Sequence, residues 1–201
     1  MIQSLVRGTR LIDEQDLIAR AQRGEVQAYE QLVQQYEQIA FRAAFFITHD
    51  EQEAADAAQD AFLRAYRALP SFKHGRPLRP WLLRIVTNVA LNRWQAAQRR
   101  TRMTERYTQW VFMETTQVSI EGVALKREQR QRLLEAVNQL QPEQQALIAL
   151  RYFLELPEAE VAEALKIPVG TVKSRLHRTL ARLREIIQRD YPDLHELTSH
   201  G

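Results

Sequence analysis

Lys173, Ser174, Arg175, His177 and Arg178 crowd two helical turns, with Thr171 just before them, inside the block AEVAEALKIPVGTVKSRLHRTLARLR from Ala159 to Arg184. Long cationic and hydroxyl side chains on the N-terminal half of a helix suit the major groove of DNA, where some reach base edges while arginines meet phosphates. Such a helix must be packed from behind, and Val172, Leu176, Leu180, Leu183 and Ile187 recur at three- and four-residue steps as one apolar stripe. Before it, Val161, Ala162 and Leu165 stand at helical spacing after Pro157, which suits a first-turn position. Pro168 disfavours helix at Ile167, so the residues predict a short helix over about 157–165, a break at Lys166-Ile167-Pro168, and a longer helix beyond. This is helix-turn-helix spacing. A plain amphipathic helix with a solvated basic face would show the same stripe. Two features favour nucleic acid: Glu158, Glu160 and Glu163 make the first helix acidic, concentrating positive charge on the second, and the turn is short enough to hold the helices at a steep angle.

A second group of residues with chemical potential lies in the N-terminal half. Between Asp50 and Asp60 there are five acids and no cation, whereas from Pro70 to Arg106 nine Lys and Arg stand against Glu105 alone. From Lys166 to Arg189 there are seven cations against Glu185. Two separate basic segments imply two contacts with a polyanion, and the acidic stretch beside the first implies a different, protein partner. Asp56 and Asp60 lie four apart on one helical face with Gln59 beside them. They would meet a basic partner together, or form a solvated face or a helix-dipole contact.

The elements that position these groups read as helices throughout. Residues 13–40 carry Leu17, Ile18, Ala21, Ala28, Leu32, Val33, Tyr36 and Ala40 at helical intervals, with a break around Arg23-Gly24-Glu25. Phe41, Ala44, Phe45, Phe46 and Ile47 extend the second of these helices to Thr48-His49-Asp50, where the next begins. Ala54 to Leu69 places Ala58, Phe62, Ala65, Tyr66 and Leu69 inward and stops at Pro70; Ser71 to Arg79 is a loop; Trp81 to Gln98 is a fourth helix. Its apolar side is Trp81, Leu82, Ile85, Val86, Val89 and Trp94. Periodicity then fades into a polar tether, although Trp110, Val111 and Phe112 within it would suit a partner surface. It returns at Leu125, with helices over about 125–140, 142–154, 157–165 and 168–190. No run alternates with period two, so the fold class is all-α: two helical domains joined by a linker. The expected bounds are 1–98, a linker over 99–124, 125–190, and a short tail over 191–201 that leaves no room for an attached sensory domain.

Composition limits the alternatives. The chain has 201 residues, 45% hydrophobic and 26% charged, which suits a globular protein with one or two cores. Without cysteine there is no disulfide framework, zinc ribbon or thiol nucleophile, and His49, His74, His177, His195 and His200 show no paired ligand spacing. No metal and no cofactor are expected. No apolar run approaches the roughly 20 residues that span a bilayer, and the N-terminus lacks a signal-peptide pattern, so a cytoplasmic location without membrane insertion is expected. Clustered carboxylates with a nearby His and Gly-rich phosphate loops are also missing, which argues against a nucleic-acid-processing enzyme.

The blocks DAAQDAFLRAYRAL at 56–69 and WLLRIVTNVALNR at 81–93 resemble the sigma-2 domain of bacterial extracytoplasmic-function (ECF) sigma factors, and IPVGTVKSRLHR at 167–178 is similar to their sigma-4 signature. Across nearly its whole length the chain thus resembles the minimal two-domain members of the sigma-70 superfamily. The resemblance implies core RNA polymerase and promoter DNA as partners. It sets Asp56, Gln59, Asp60 and Phe62 against the clamp helices of the beta-prime subunit, and the sigma-4 domain against the beta flap. It also implies that the loop from Phe72 to Arg79 and the helix after it read the minus-10 element by holding an unstacked base of the non-template strand. Asn88 matches the family's pocket asparagine, whose amide both donates and accepts. Phe72, Lys73, Arg76, Arg84, Asn92 and Arg93 become the surrounding contacts, while Trp81 reads as core. Lys173, Ser174, His177 and Arg178 match the minus-35 base and backbone readers, with Thr171 and Arg175 on phosphate. A separate anti-sigma factor is implied as regulator.

The chain departs from the family pattern in places. Lys166 stands where Gly is frequent, which predicts a left-handed residue at some cost. Pro157 replaces a capping Ser or Thr, Ala55 replaces a frequent glutamate, and the loop Lys73-His74-Gly75-Arg76-Pro77-Leu78 is individual. The expectation is a non-catalytic initiation factor. Its alternative, a dimeric helix-turn-helix repressor or activator, leaves both the acidic 50–60 stretch and the basic 70–106 segment without work.

Overall fold

Breaks in helical pattern become breaks in helix. The computed structural model describes residues 14–101 and 131–192, and the chain divides into two compact units, Met1–Met103 with Glu163–Lys166, and Thr104–Ala162 with Ile167–Gly201. Nearly all of the expected linker, including Trp110, Val111 and Phe112, and all of the expected tail beyond Pro192 lie outside the described residues.

In the N-terminal unit α1 (residues 14–22) buries Leu17, Ile18 and Ala21. It ends where Gly24 takes φ 91°, with Gly24 N–H donating to Ala21 O and Glu25 N–H to Arg20 O, a Schellman cap that glycine reaches without a Cβ clash. Helix α2 (Val26–Thr48) ends at His49, in the left-handed region, whose N–H meets Phe45 O at 2.9 Å. Asp50 caps α3 (Glu51–Ala68) by accepting the Glu53 N–H at 2.8 Å. A 3-10 turn over Leu69–Ser71 holds Pro70, and α4 (Leu78–Thr101) follows.

Helices α2, α3 and α4 pack on one another. The inward line of α3 is Ala54, Ala57, Ala58, Ala61 and Ala65, small side chains that permit close approach of helices. Two expectations shift in consequence. Tyr66 points out, 40% exposed, with its ring 4.8 Å from that of Tyr29, and Phe62 is only partly buried. Helix α4 starts at Leu78 rather than Trp81, because Pro80 in the first turn removes an N–H that has no helical acceptor there. Leu82, Leu83, Val86, Val89 and Ala90 form its buried side, leaving Trp81, Ile85 and Trp94 half-buried.

The C-terminal half of the chain contains α5 (residues 131–138), α6 (Pro142–Ile148) continued by a π-helical turn over Ala149–Phe153, α7 (Glu158–Leu165) and α8 (Val169–Asp190). Its core joins Ala136, Val137 and Leu140 with Ile148, Leu183 and Ile186. Gln145, buried, donates through Nε2 to Asn138 O and Leu140 O at 2.9 and 2.8 Å, satisfying carbonyls at the α5 terminus. The buried line of α8 is Val172, Leu176, Thr179, Leu183 and Ile186; Leu180 and Ile187, expected within the stripe, flank it.

Candidate nucleic-acid interface

Two backbone bonds shape the turn before α8. Lys166 N–H donates to Glu163 O at 3.2 Å and Ile167 N–H to Ala162 O at 3.0 Å, and Lys166 has φ 54°. These are the two bonds of a Schellman cap, so α7 ends through a left-handed lysine, as expected. Past it, Lys173, Ser174, Arg175, His177 and Arg178 are all exposed on α8, and Thr171 is partly buried. The helix organises this face itself: Ser174 Oγ donates to Thr171 O at 3.1 Å and Arg178 Nε to Ser174 O at 3.3 Å. Lys173 Nζ lies 3.9 Å from a Glu158 carboxylate oxygen, but its side chain is 75% exposed, so this contact contributes little.

In the N-terminal unit the loop after α3 has a buried base and an exposed crest. Phe72 is 6% exposed and packs on Trp81, ring centres 4.9 Å apart at 57°. An apolar ring at the loop's foot gains most from this burial. Lys73, His74 and Arg76 remain exposed around Gly75 at φ 81°, with Arg76 N–H reaching back to Lys73 O at 3.4 Å. On α4, Asn88 and Asn92 are exposed and Arg84 is half-buried; steps of four put the three on one line.

Arg93 faces the acids of α3. Its Nη1 meets Glu53 Oε2 at 3.0 Å and Asp56 Oδ2 at 3.4 Å, and its Nη2 meets Asp60 Oδ2 at 2.8 Å. The hydrogen bond to Asp60, more than any other influence, holds the guanidinium further above its already high range. One residue away from the Asn92 line, a helix turns its side chain by about 100°, enough to send Arg93 to the acids of α3. Asp56 also accepts from Gln52 Nε2 at 3.2 Å, and Gln59 is exposed. The structure thus brings Asp56 and Asp60 together, as their spacing predicts, and adds Glu53 and Arg93 to them.

Two residues of the site carried no sequence signal of their own. Gln15 Oε1 accepts the Gly75 N–H at 2.9 Å while its Nε2 donates to Arg76 O at 3.1 Å. Gln22 Nε2 donates to Leu69 O and Phe72 O at 3.0 and 2.8 Å. They sit seven residues apart on α1, flanking Ile18, and hold the loop by its backbone.

Residues 32–100 match the family model for Sigma-70 region 2, and residues 130–183 that for Sigma-70, region 4. The chain is 32% identical over 181 residues to the RNA polymerase sigma-H factor of Pseudomonas aeruginosa, covering 87% of this chain and 94% of that protein. It is 30% identical over 174 residues to the ECF RNA polymerase sigma factor SigW of Bacillus subtilis, covering 84% and 93%. The chain belongs to the ECF group of the sigma-70 family. A solved sigma factor RpoE from Bartonella quintana, in complex with the anti-sigma factor NepR, shares the fold at TM-score 0.62 and 22% identity, covering 81% of this chain and 98% of that one. Most of α2, all of α3 and all but the last residue of α4 fall in region 2, while α7 and α8 as far as Leu183 fall in region 4. Gln15 and Gln22 of this sigma factor lie outside the region 2 match. No helix among the described residues is long and apolar enough to cross a membrane.

Proposed function

We propose that this ECF sigma factor binds core RNA polymerase through α3, reads the minus-10 element with the 72–79 loop and α4, reads the minus-35 element with α8, and begins strand separation. One observation carries the reading most: a single small domain presents an acidic, amide-bearing face on α3 and a separate cationic and amide-bearing line on α4. Asp56, Gln59 and Asp60 are the polymerase contacts, with Phe62 partly buried behind them. Lys73, Arg76, Arg84, Asn88 and Asn92 are the minus-10 contacts, with Phe72 as the anchor of the loop. Unstacking a base costs a few kcal/mol, which phosphate contacts and a pocket around Asn88 offset.

The domains run over 1–98 and 125–190, with a linker over 99–124 and a tail over 191–201; sigma-4 docks on the beta flap. The factor has no catalytic residues, acts in the cytoplasm, and is held in check by an anti-sigma factor. The ECF relatives support this reading over a dimeric repressor. Gel filtration of the full chain with core polymerase tests it: a one-to-one complex that opens promoter DNA is expected. A dimer that occupies duplex DNA alone, with half-sites about one helical turn apart, contradicts it.

A further inference from the structure

A loop that discriminates between bases must present its side chains in one arrangement, and the 72–77 loop has few means of its own to do so. It is six residues long, with Gly75 at φ 81° near its crest and one long backbone bond, Arg76 N–H to Lys73 O at 3.4 Å. Its side chains at Lys73, His74 and Arg76 are exposed and make no apolar core. Its foot is fixed by Phe72 against Trp81 and by Gln22 on the Leu69 and Phe72 carbonyls. Its crest is fixed by Gln15. The Gln15 amide spans the Gly75–Arg76 pair, accepting from one residue's N–H at 2.9 Å and donating to the next residue's C=O at 3.1 Å. Both loop partners are backbone, so the clamp leaves the base-facing side chains untouched while setting where they point.

We infer that Gln15 is a positioning residue for promoter selection: its amide locks the crest of the loop and thereby sharpens the choice of minus-10 sequence. The inference rests on the proposed minus-10 role of the loop. Sixty residues separate Gln15 from Gly75, so the clamp is a tertiary contact, made by a helix outside the region 2 match. A freed crest samples several arrangements, and discrimination that depends on one of them averages out.

The test compares the full chain with Gln15→Met, which keeps side-chain length and loses both bonds, and with Gln15→Glu, which keeps the acceptor for Gly75 and loses the donor to Arg76. Each is assayed with core polymerase on a promoter library randomised at minus-10 under a fixed minus-35. Losing two exposed hydrogen bonds, each at the low end of the ordinary net strength, corresponds to about fivefold in all. The ratio of best to median minus-10 sequence is therefore expected to fall about fivefold in Gln15→Met and less in Gln15→Glu, while dependence on minus-35 is retained. An unchanged minus-10 profile in both variants, with a profile that does change in Arg76→Ala, overturns the Gln15 inference and leaves the loop reading intact. A profile unchanged by Arg76→Ala and His74→Ala as well overturns the loop reading itself. A parallel loss of minus-10 and minus-35 dependence in Gln15→Met makes Gln15 a general structural residue and also overturns the inference.

Discussion

Arg93 Nη2 donates to Asp60 Oδ2 at 2.8 Å, tying α4 to the acidic face of α3. The pair belongs to a cluster in which one guanidinium serves three carboxylates, and Arg93 is 27% exposed by side chain against 42% for Asp56 and Asp60. Partial exposure keeps the carboxylates accessible to an incoming basic surface, and the shared cation keeps their mutual repulsion in check.

Removing that cation leaves three like charges together. Arg93→Ala is expected to destabilise the N-terminal unit by about 1 kcal/mol, as for a half-exposed ion-pair network. Urea denaturation of the single and double variants with Asp60→Asn gives the coupling, expected near 0.5–1 kcal/mol and smaller at high salt. Additive effects would show that the Arg93–Asp60 pair contributes nothing.

The turn before α8 holds a lysine where the backbone favours glycine. Lys166 is exposed, and its φ of 54° costs a residue bearing Cβ about 1.5 kcal/mol. Lys166→Gly is expected to stabilise the helix-turn-helix by roughly 0.5–1 kcal/mol, after the entropy glycine adds to the unfolded chain. A raised urea midpoint with an unchanged slope is the expected reading; a lowered midpoint contradicts the cap assignment.

Gln145 is buried and its Nε2 donates to the Asn138 and Leu140 carbonyls at the end of α5. Gln145→Leu leaves those acceptors without their partner and is expected to cost about 2 kcal/mol, measured by urea denaturation. A neutral result would mean that water replaces the amide.

These residues mark where the sequence was legible. Helical periods and the breaks at Gly24, Pro70 and Pro168 arise from local backbone chemistry, which neighbouring residues disclose, whereas the left-handed Lys166 was legible only through the glycine frequent there in the family. Asp56 and Asp60 were legible for the same reason, being one turn apart. The clamps by Gln15, Gln22 and Gln145 were not, because a polar side chain bonded to distant backbone leaves no periodic trace. Arg93 was read with its basic neighbours although its side chain turns to α3. Tyr66 was read inward because alanines, not aromatics, line the packed face of α3, and alanine spacing is a weak signal.

Burial pushes the Tyr29 phenol up to about 12 from its ordinary 10.0, and its hydroxyl donates to Phe62 O at 2.5 Å. The folded chain therefore keeps this proton at a pH where the unfolded chain has released it. The resulting stabilisation is fully present below pH 10.0 and is lost as pH rises toward about 12. Tyr29→Phe is expected to flatten that part of the loss in urea denaturation across the interval. Identical slopes for parent and variant would contradict a retained proton.

Run-off transcription from a promoter library, with purified core polymerase and the full chain, tests the central claim most directly. The account predicts start sites that require the protein, share a minus-10 and a minus-35 element, and disappear with Asp56→Arg/Asp60→Arg while that variant stays folded. No protein-dependent transcript, or transcripts indifferent to the charge reversal, would contradict it.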